Sequence, residues 1–293
     1  MDERLRLRVQ RYGWDRAAPR YEASWQAPLA VAHHALLARL EVRPGERVLD
    51  VACGTGTLAR ELANIVGVDG EVVGVDLSQA MVDVAGGRAN PPGSPPVRYL
   101  RMDAQSLDFP SESFDVVTCC FGLMYLPDPE RAVAQMRRVL RPGGRLGLAV
   151  WGERAHCAWA PVFSIVDAEV TSEVCSLFFR LGANDALASA CRAAGLSVSW
   201  QSRLASQLFH RDADAACDAM FVAGPAALAW SRFDEEVRRR VRARYLDVVA
   251  PWRVGAAYEL PAEFVCLLAQ PGHTGPASLQ APSLQGGSVA KQR

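Results

Sequence analysis

Residues 48–63, VLDVACGTGTLARELA, decide the fold. An apolar run ends in Asp50, passes through Gly54-Thr55-Gly56, and continues as a helical pattern with Leu58, Leu62 and Ile65 on one face. A strand, a glycine turn and a helix in this order usually hold a nucleotide-like cofactor. The turn alone does not say whether that cofactor is a dinucleotide, a phosphate, or a molecule with no phosphate at this point.

Outward from it the pattern alternates. EVVGVDL, VRYLRMD, FDVVTCCF and RLGLAVW are strands. Between them SQAMVDVAG opens with Ser78 as an N-cap, and DPERAVAQMRRVL opens with Asp128 and Pro129 and is stopped by RPGG. Strands alternating with helices predict a parallel sheet covered on both faces. Upstream, residues 10–40 read as helical, with His33 on the apolar face and therefore expected in the core. After Trp151 come a helical CAWAPVFSIVDAEV, the helix DALASACRAAGL, the strand SVSWQSRLASQLF, a helical stretch including FDEEVRRRVRARYLDVV, and a last strand EFVCLLAQ. From Pro271 the chain is rich in Gly, Ser, Pro and Gln and reads as a disordered tail.

The chain has 293 residues, half of them apolar, which fits one α/β domain with additions. Lys+Arg and Asp+Glu both number 32, so the basic excess of a nucleic-acid binder is absent. The 8 cysteines show no Cys-x-x-Cys and no zinc spacing, so no metal is expected and the thiols read as reduced, in a cytoplasmic protein. No apolar run approaches the ~20 residues of a membrane span, and the first residues, with Asp2 and Glu3, do not resemble a secretory or organelle leader.

A dinucleotide turn wants G-x-G-x-x-G; here Ala59 takes the third place, and no Gly-Lys-Ser/Thr follows to make a phosphate loop. Three acids choose between the remaining cofactors. Asp50, four residues before Gly54, would repel a pyrophosphate and attract an ammonium group. Asp76 ends the next strand, where it can accept from both ribose hydroxyls, and Asp103-Ala104 ends the third, where a carboxylate and a free N–H can read an adenine edge. The set suits an adenosine carrying an amino-acid arm: S-adenosylmethionine.

VLDVACGTG, GVDLSQAM, DAQSLDFPSESFDVV and VLRPGGRL resemble the successive motifs of class I S-adenosylmethionine-dependent methyltransferases, nearest to the ubiquinone/menaquinone C-methyltransferase-like and small-molecule group. The resemblance covers residues 45–151 and thins beyond. It implies a Rossmann-like, doubly wound, seven-stranded, mostly parallel sheet with the last strand antiparallel, plus N-terminal helices and a helical insert before the last strand. The expected division is a helical cap over 1–45, a cofactor-binding core over 46–151, the rest of the sheet with substrate-side helices over 152–270, and the tail over 271–293. It implies that Asp50, Ala52 and Gly54-Thr55-Gly56 hold the methionine end, Asp76 the ribose, Leu77 and Met81 the adenine faces, Asp103 and Ala104 its edge, and Cys120 and Phe121 the transfer site. Tyr21 is the aromatic expected to close over the cofactor, with Trp25 behind it and helix packing as the competing role.

Because the sulfonium makes its methyl group electrophilic, the protein mainly has to position a nucleophile and exclude water. A base is needed only where the acceptor loses a proton; His156, His34 and Tyr125 are the candidates, each with a structural role as its competitor. Aliphatic and aromatic residues over 157–170 and 213–250 point to a small lipophilic or aromatic acceptor, methylated on carbon or oxygen with nitrogen possible, although core packing explains them equally well. A monomer or homodimer is expected. A non-catalytic cofactor-binding module and an NAD-dependent oxidoreductase are the alternatives, the latter opposed by Asp50 and Asp103-Ala104. Cys119-Cys120 should place one thiol in the core and one toward the cofactor. NPPG at 90–93 lacks the aromatic and the position of a DNA-methyltransferase motif, and RRRVRARY at 238–245 reads as a solvated helix face.

Overall fold

The computed structural model describes residues 3–170 and 178–272. In chain order its elements are α1 (Glu3–Leu40), β1 (Arg47–Val51), α2 (Thr57–Val66), β2 (Glu71–Asp76), α3 (Gln79–Gly86), β3 (Arg98–Arg101), β4 (Phe114–Cys120), α4 (Pro129–Val139), β5 (Leu140–Trp151), α5 (Pro161–Asp167), α6 (Ala186–Ala193), β6 (Leu196–His210), α7 (Ala213–Phe221), α8 (Ala227–Arg232), α9 (Glu235–Val249), β7 (Arg253–Val254) and β8 (Ala257–Pro271). The sheet runs β3-β2-β1-β4-β5-β8-β6. β1 to β5 are mutually parallel; β8 is antiparallel to both β5 and β6. The seven expected strands form this path. An eighth, the two-residue β7, pairs only with the start of β8 through a Gly255 turn too short to carry a sequence signal.

Local chemistry accounts for the helix starts. Ser78, Asp128, Asp212 and Asp234 each accept a bond from the backbone N–H three residues on. Two elements differ from the expectation. The stretch read as helical over 10–40 belongs to one helix of 38 residues, α1, where N-terminal helices are expected, and it runs on through Pro19 and Pro28. Each proline removes a backbone hydrogen bond and costs ~3 kcal/mol in isolation. Burial of Trp25, Leu29, Ala32, Leu36 and Leu40 against the sheet side offsets that cost. RPGG does not separate α4 from β5 either. It forms a bulge at the start of the strand, where the register against β4 shifts from Phe114↔Leu140 to Val116↔Arg145. The tail read from Pro271 lies outside the described residues beyond Gly272, and Pro271 itself still pairs with Leu196.

The order of the sheet reverses between β1 and β4, and a crevice opens beyond the carboxyl ends of these strands. Both strand ends turn through left-handed backbone without glycine: Ala52 has φ 55° and Phe121 φ 61°. Such residues persist only where their surroundings enforce them. Here the next residue explains the fit. A Cβ on Gly122 would collide with the Ala52 methyl and approach the Cys119 sulfur at 3.0 Å, so glycine at 122 lets the two turns touch. Among the described residues no helix is long and apolar enough to cross a membrane.

Gly122→Ala should therefore destabilise the fold by on the order of 2 kcal/mol. Gly86→Ala, at the end of α3 with open space around it, should be close to neutral. Thermal melts of the two variants side by side test this, and equal melting temperatures would refute the packed-turn account.

Candidate active site

A cleft of about 680 Å³ lies over the crevice. Its walls include Tyr21 from α1, Ala52 and Gly54 from the glycine turn, Asp76 and Leu77 at the end of β2, Met81 on α3, and Ala104 after β3. Cys120, Phe121 and Tyr125 close it after β4. A recess of about 460 Å³ adjoins it behind Tyr21, walled by Asp50, Thr55, Cys120 and His33. The residues that sequence reasoning named for the cofactor thus converge from six separate segments, with two standing back from the open space. Gly56 lies under Tyr99, whose Cζ would be 2.7 Å from an added Cβ. Asp103 is turned toward Gln105, whose backbone N–H it accepts at 2.9 Å. Gln105 Oε1 in turn accepts the Asp128 N–H at 2.9 Å, which links this loop to the start of α4.

Two carboxylates set the electrostatics. Asp50 is only 2 % exposed; its Oδ1 accepts the Thr118 hydroxyl at 2.7 Å across the β1–β4 pair, while Oδ2 is buried without a partner. Burial pushes its carboxyl up to about 7, with the Thr118 bond pulling the other way and Asp76 adding repulsion. Asp76 accepts backbone N–H groups from Gly54 and Ser78, both at 2.9 Å. Enclosure raises it to about 6, and those two bonds limit the rise. The glycine turn is thus braced on an acid rather than on a phosphate. Arg60 also holds it, donating to the Thr55 carbonyl at 2.8 Å.

α1 is fastened over this site. Asp15 accepts the Ser78 hydroxyl at 2.6 Å, and the same Ser78 oxygen accepts the Met81 N–H at 3.1 Å. Trp25 Nε1 donates to the Ala223 carbonyl at 3.1 Å, in the helical segment between β6 and β8. Tyr21 therefore hangs from a helix tied at both sides, with its ring 3.7 Å from where a Gly54 Cβ would stand. Burial, then Asp76, raises its phenol well above the usual value, so it stays protonated.

Of the three candidate bases, Tyr125 lines the cleft, whereas His34 is exposed on α1 and His156 is exposed and paired with Glu263 at 3.0 Å. Cys119 is fully buried and Cys120 faces the cleft. His33 is buried as expected of a core residue, yet it also walls the recess; its Nδ1 has no partner, and burial lowers its pKa to about 4, so the ring is neutral. Sequence reasoning missed that second role, and it missed Trp14, Met102, Trp151 and Trp159 as cavity walls. A helical period marks a buried face but does not tell a face against a core from a face against a cavity. Among the described residues no cluster of three or more His, Cys, Asp or Glu side chains could hold a metal.

Residues 48–144 match the family model described as a methyltransferase domain. This segment is thus similar to the domain of class I S-adenosylmethionine-dependent methyltransferases. It is 41% identical over 141 residues to the 2-phytyl-1,4-naphtoquinone methyltransferase of Synechococcus elongatus, covering 46% of this chain and 60% of that protein. It is 49% identical over 106 residues to the ubiquinone/menaquinone biosynthesis C-methyltransferase of Ectopseudomonas mendocina, covering 36% of this chain and 41% of that one. The match thus spans only about half the length of these relatives. In fold, the methyltransferase domain and its additions resemble the Haemonchus contortus phosphoethanolamine N-methyltransferase 2 solved with S-adenosylhomocysteine, with a TM-score of 0.57, 18% identity, and coverage of 93% of this chain and 60% of that one.

The raised Asp50 carboxyl makes a stability prediction. Its folded value lies above the unfolded one, so its contribution is fully present below pH ~4 and is lost as pH rises through about 7. Ionised in place, it costs up to about 4 kcal/mol. Asp50→Asn should therefore raise the melting temperature at pH 8, and the gain should shrink toward pH 5. A variant that melts lower than wild type at pH 8 would contradict this.

Proposed function

We propose that this protein transfers a methyl group from S-adenosylmethionine to a carbon or oxygen of a small, lipophilic aromatic acceptor of the quinol class. The observation that carries the proposal is the Asp50 carboxylate. It is enclosed beside the glycine turn, satisfied on one oxygen by Thr118 and left without a partner on the other. An orphan buried anion suits the ammonium of an amino-acid arm and would repel a pyrophosphate. The neutral His33, with Nδ1 unpartnered in the same recess, suits the carboxylate of that arm. Asp76 keeps lone pairs toward the cleft for the ribose hydroxyls, and Leu77, Met81 and Met102 with the Ala104 segment make an apolar slot for the adenine. The quinone-type names of the two relatives support the acceptor class.

When bound, the cofactor supplies a methyl group made electrophilic by its sulfonium. This chain's residues orient the two reactants and keep water out. Tyr21, Phe121 and Tyr125 stand at the boundary between the cleft and the aromatic space beyond it. Aromatic faces at that boundary favour a cation on one side and a flat acceptor on the other. Transfer forms the acceptor–CH3 bond as the S–CH3 bond breaks, with the bonding pair returning to sulfur; a carbon or hydroxyl acceptor releases one proton. Of the three candidate bases, Tyr125 reaches the cleft.

The direct test is transfer of label from methyl-labelled S-adenosylmethionine to hydroquinone and naphthohydroquinone, with product identified by mass. Binding has its own pH signature. An ammonium group favours ionised Asp50, so binding below pH 7 must expel the proton. The dissociation constant of S-adenosylhomocysteine should rise roughly tenfold from pH 8 to pH 6, with Asp76 adding a smaller increment. Calorimetry in buffers of differing ionisation enthalpy would register the released proton, and a flat profile would take Asp50 out of the cofactor site.

A further inference from the structure

Beyond the cofactor cleft lies a small chamber whose walls are almost entirely aromatic. Trp14, Tyr21 and Trp25 come from α1, Phe121 from the end of β4, Trp151 from the end of β5, and Trp159 from the loop that follows. Tyr21 and Phe121 also wall the cleft, so chamber and cleft share a partition. No carboxylate lines the chamber. The free space is small, enough for the oxygen-bearing edge of a ring rather than for a whole fused ring system, so the body of an acceptor would stay in the cleft.

The polar handles of two of these rings differ. Trp25 spends its indole N–H on the Ala223 carbonyl. Trp159 is 1 % exposed, and its Nε1 is buried with no acceptor. Its ring cannot swing away to find one, because it is clamped by Trp151 at 4.7 Å, Phe178 and Phe179 at 5.6 Å each and Phe163 at 5.7 Å between ring centroids. Buried donors are nearly always satisfied, and an exception at a cavity wall calls for a ligand. An indole nitrogen donates and never accepts, so the missing partner carries a lone pair.

We propose that the chamber receives the oxygen-bearing edge of the acceptor ring and that Trp159 Nε1–H donates to that oxygen. Trp159 is thereby a specificity-determining residue: it selects oxygenated aromatics, such as phenols and quinols, over hydrocarbons. This rests on the proposed methyl transfer to an aromatic acceptor and adds which group on the acceptor is recognised, and by what.

The test uses the full chain saturated with S-adenosylhomocysteine and two probes of equal shape, 2-naphthol and naphthalene, titrated by calorimetry. Wild type should bind 2-naphthol about tenfold more tightly. Trp159→Phe should bring the two affinities together while leaving S-adenosylhomocysteine affinity unchanged. Trp25→Phe, whose lost N–H serves Ala223, should keep the preference. Equal affinities in wild type, binding of neither probe, or a preference that survives in Trp159→Phe would each overturn the assignment. The wild-type comparison stands alone if Trp159→Phe does not fold. Failure of S-adenosylhomocysteine to bind wild type would instead strike the proposed function itself, which separates the two outcomes.

Discussion

The constraint on which the rest of the site depends is the hydrogen bond from Thr118 to Asp50, made between the two strands at which the sheet reverses its order. It fixes one carboxylate oxygen and leaves the other buried without a partner at the wall of the recess. A charge so placed costs stability unless a cation arrives. The fold accepts that cost at the one place where the strand ends diverge and a ligand can reach between them. The left-handed turns at Ala52 and Phe121 serve the same place. They carry both chains sharply off the sheet, and Gly122 lets the two turns pack against one another. The acid, the crevice and the strained turns form one local device.

Much of the frame was legible because it is written locally. Alternating strand and helix patterns, and caps at Ser78 and Asp128, depend on neighbours within a few residues. The helical character of residues 10–40 was legible, but not that α1 is a single helix, since Pro19 and Pro28 oppose continuity locally and only distant burial overrides them. The bends at Ala52 and Phe121 were hidden for a related reason: neither residue is glycine, so nothing in the sequence marks a left-handed backbone there. For the site, the acids and the glycine turn could be named because they sit at strand ends with fixed spacing. The aromatic wall could not, since Trp14 and Trp159 meet only through the tertiary fold.

The glycine turn itself takes on a different meaning. Gly56 looks like a glycine kept clear for a phosphate, and the structure shows a tyrosine ring in the space a side chain would need. Tyr99 rises from β3 against both Gly56 and Gly74, so the two glycines make room for a ring that packs across three strands. Gly54 keeps its amide for Asp76. Similar sequence around a turn can thus answer to internal packing at one glycine and to a hydrogen bond at its neighbour.

Tyr21 belongs at once to the large cleft, to the recess behind it and to the aromatic chamber. A protein that diversified its acceptors by changing this ring would alter its grip on the cofactor in the same step. Substitutions there are bound to be epistatic with those at Asp76 or Phe121. Lineages of this architecture have an easier path to new acceptors through residues that touch the chamber alone, such as Trp151 and Trp159. The shared partition therefore divides the wall into positions free to drift and others, Tyr21 and Phe121, held in place by more than one task.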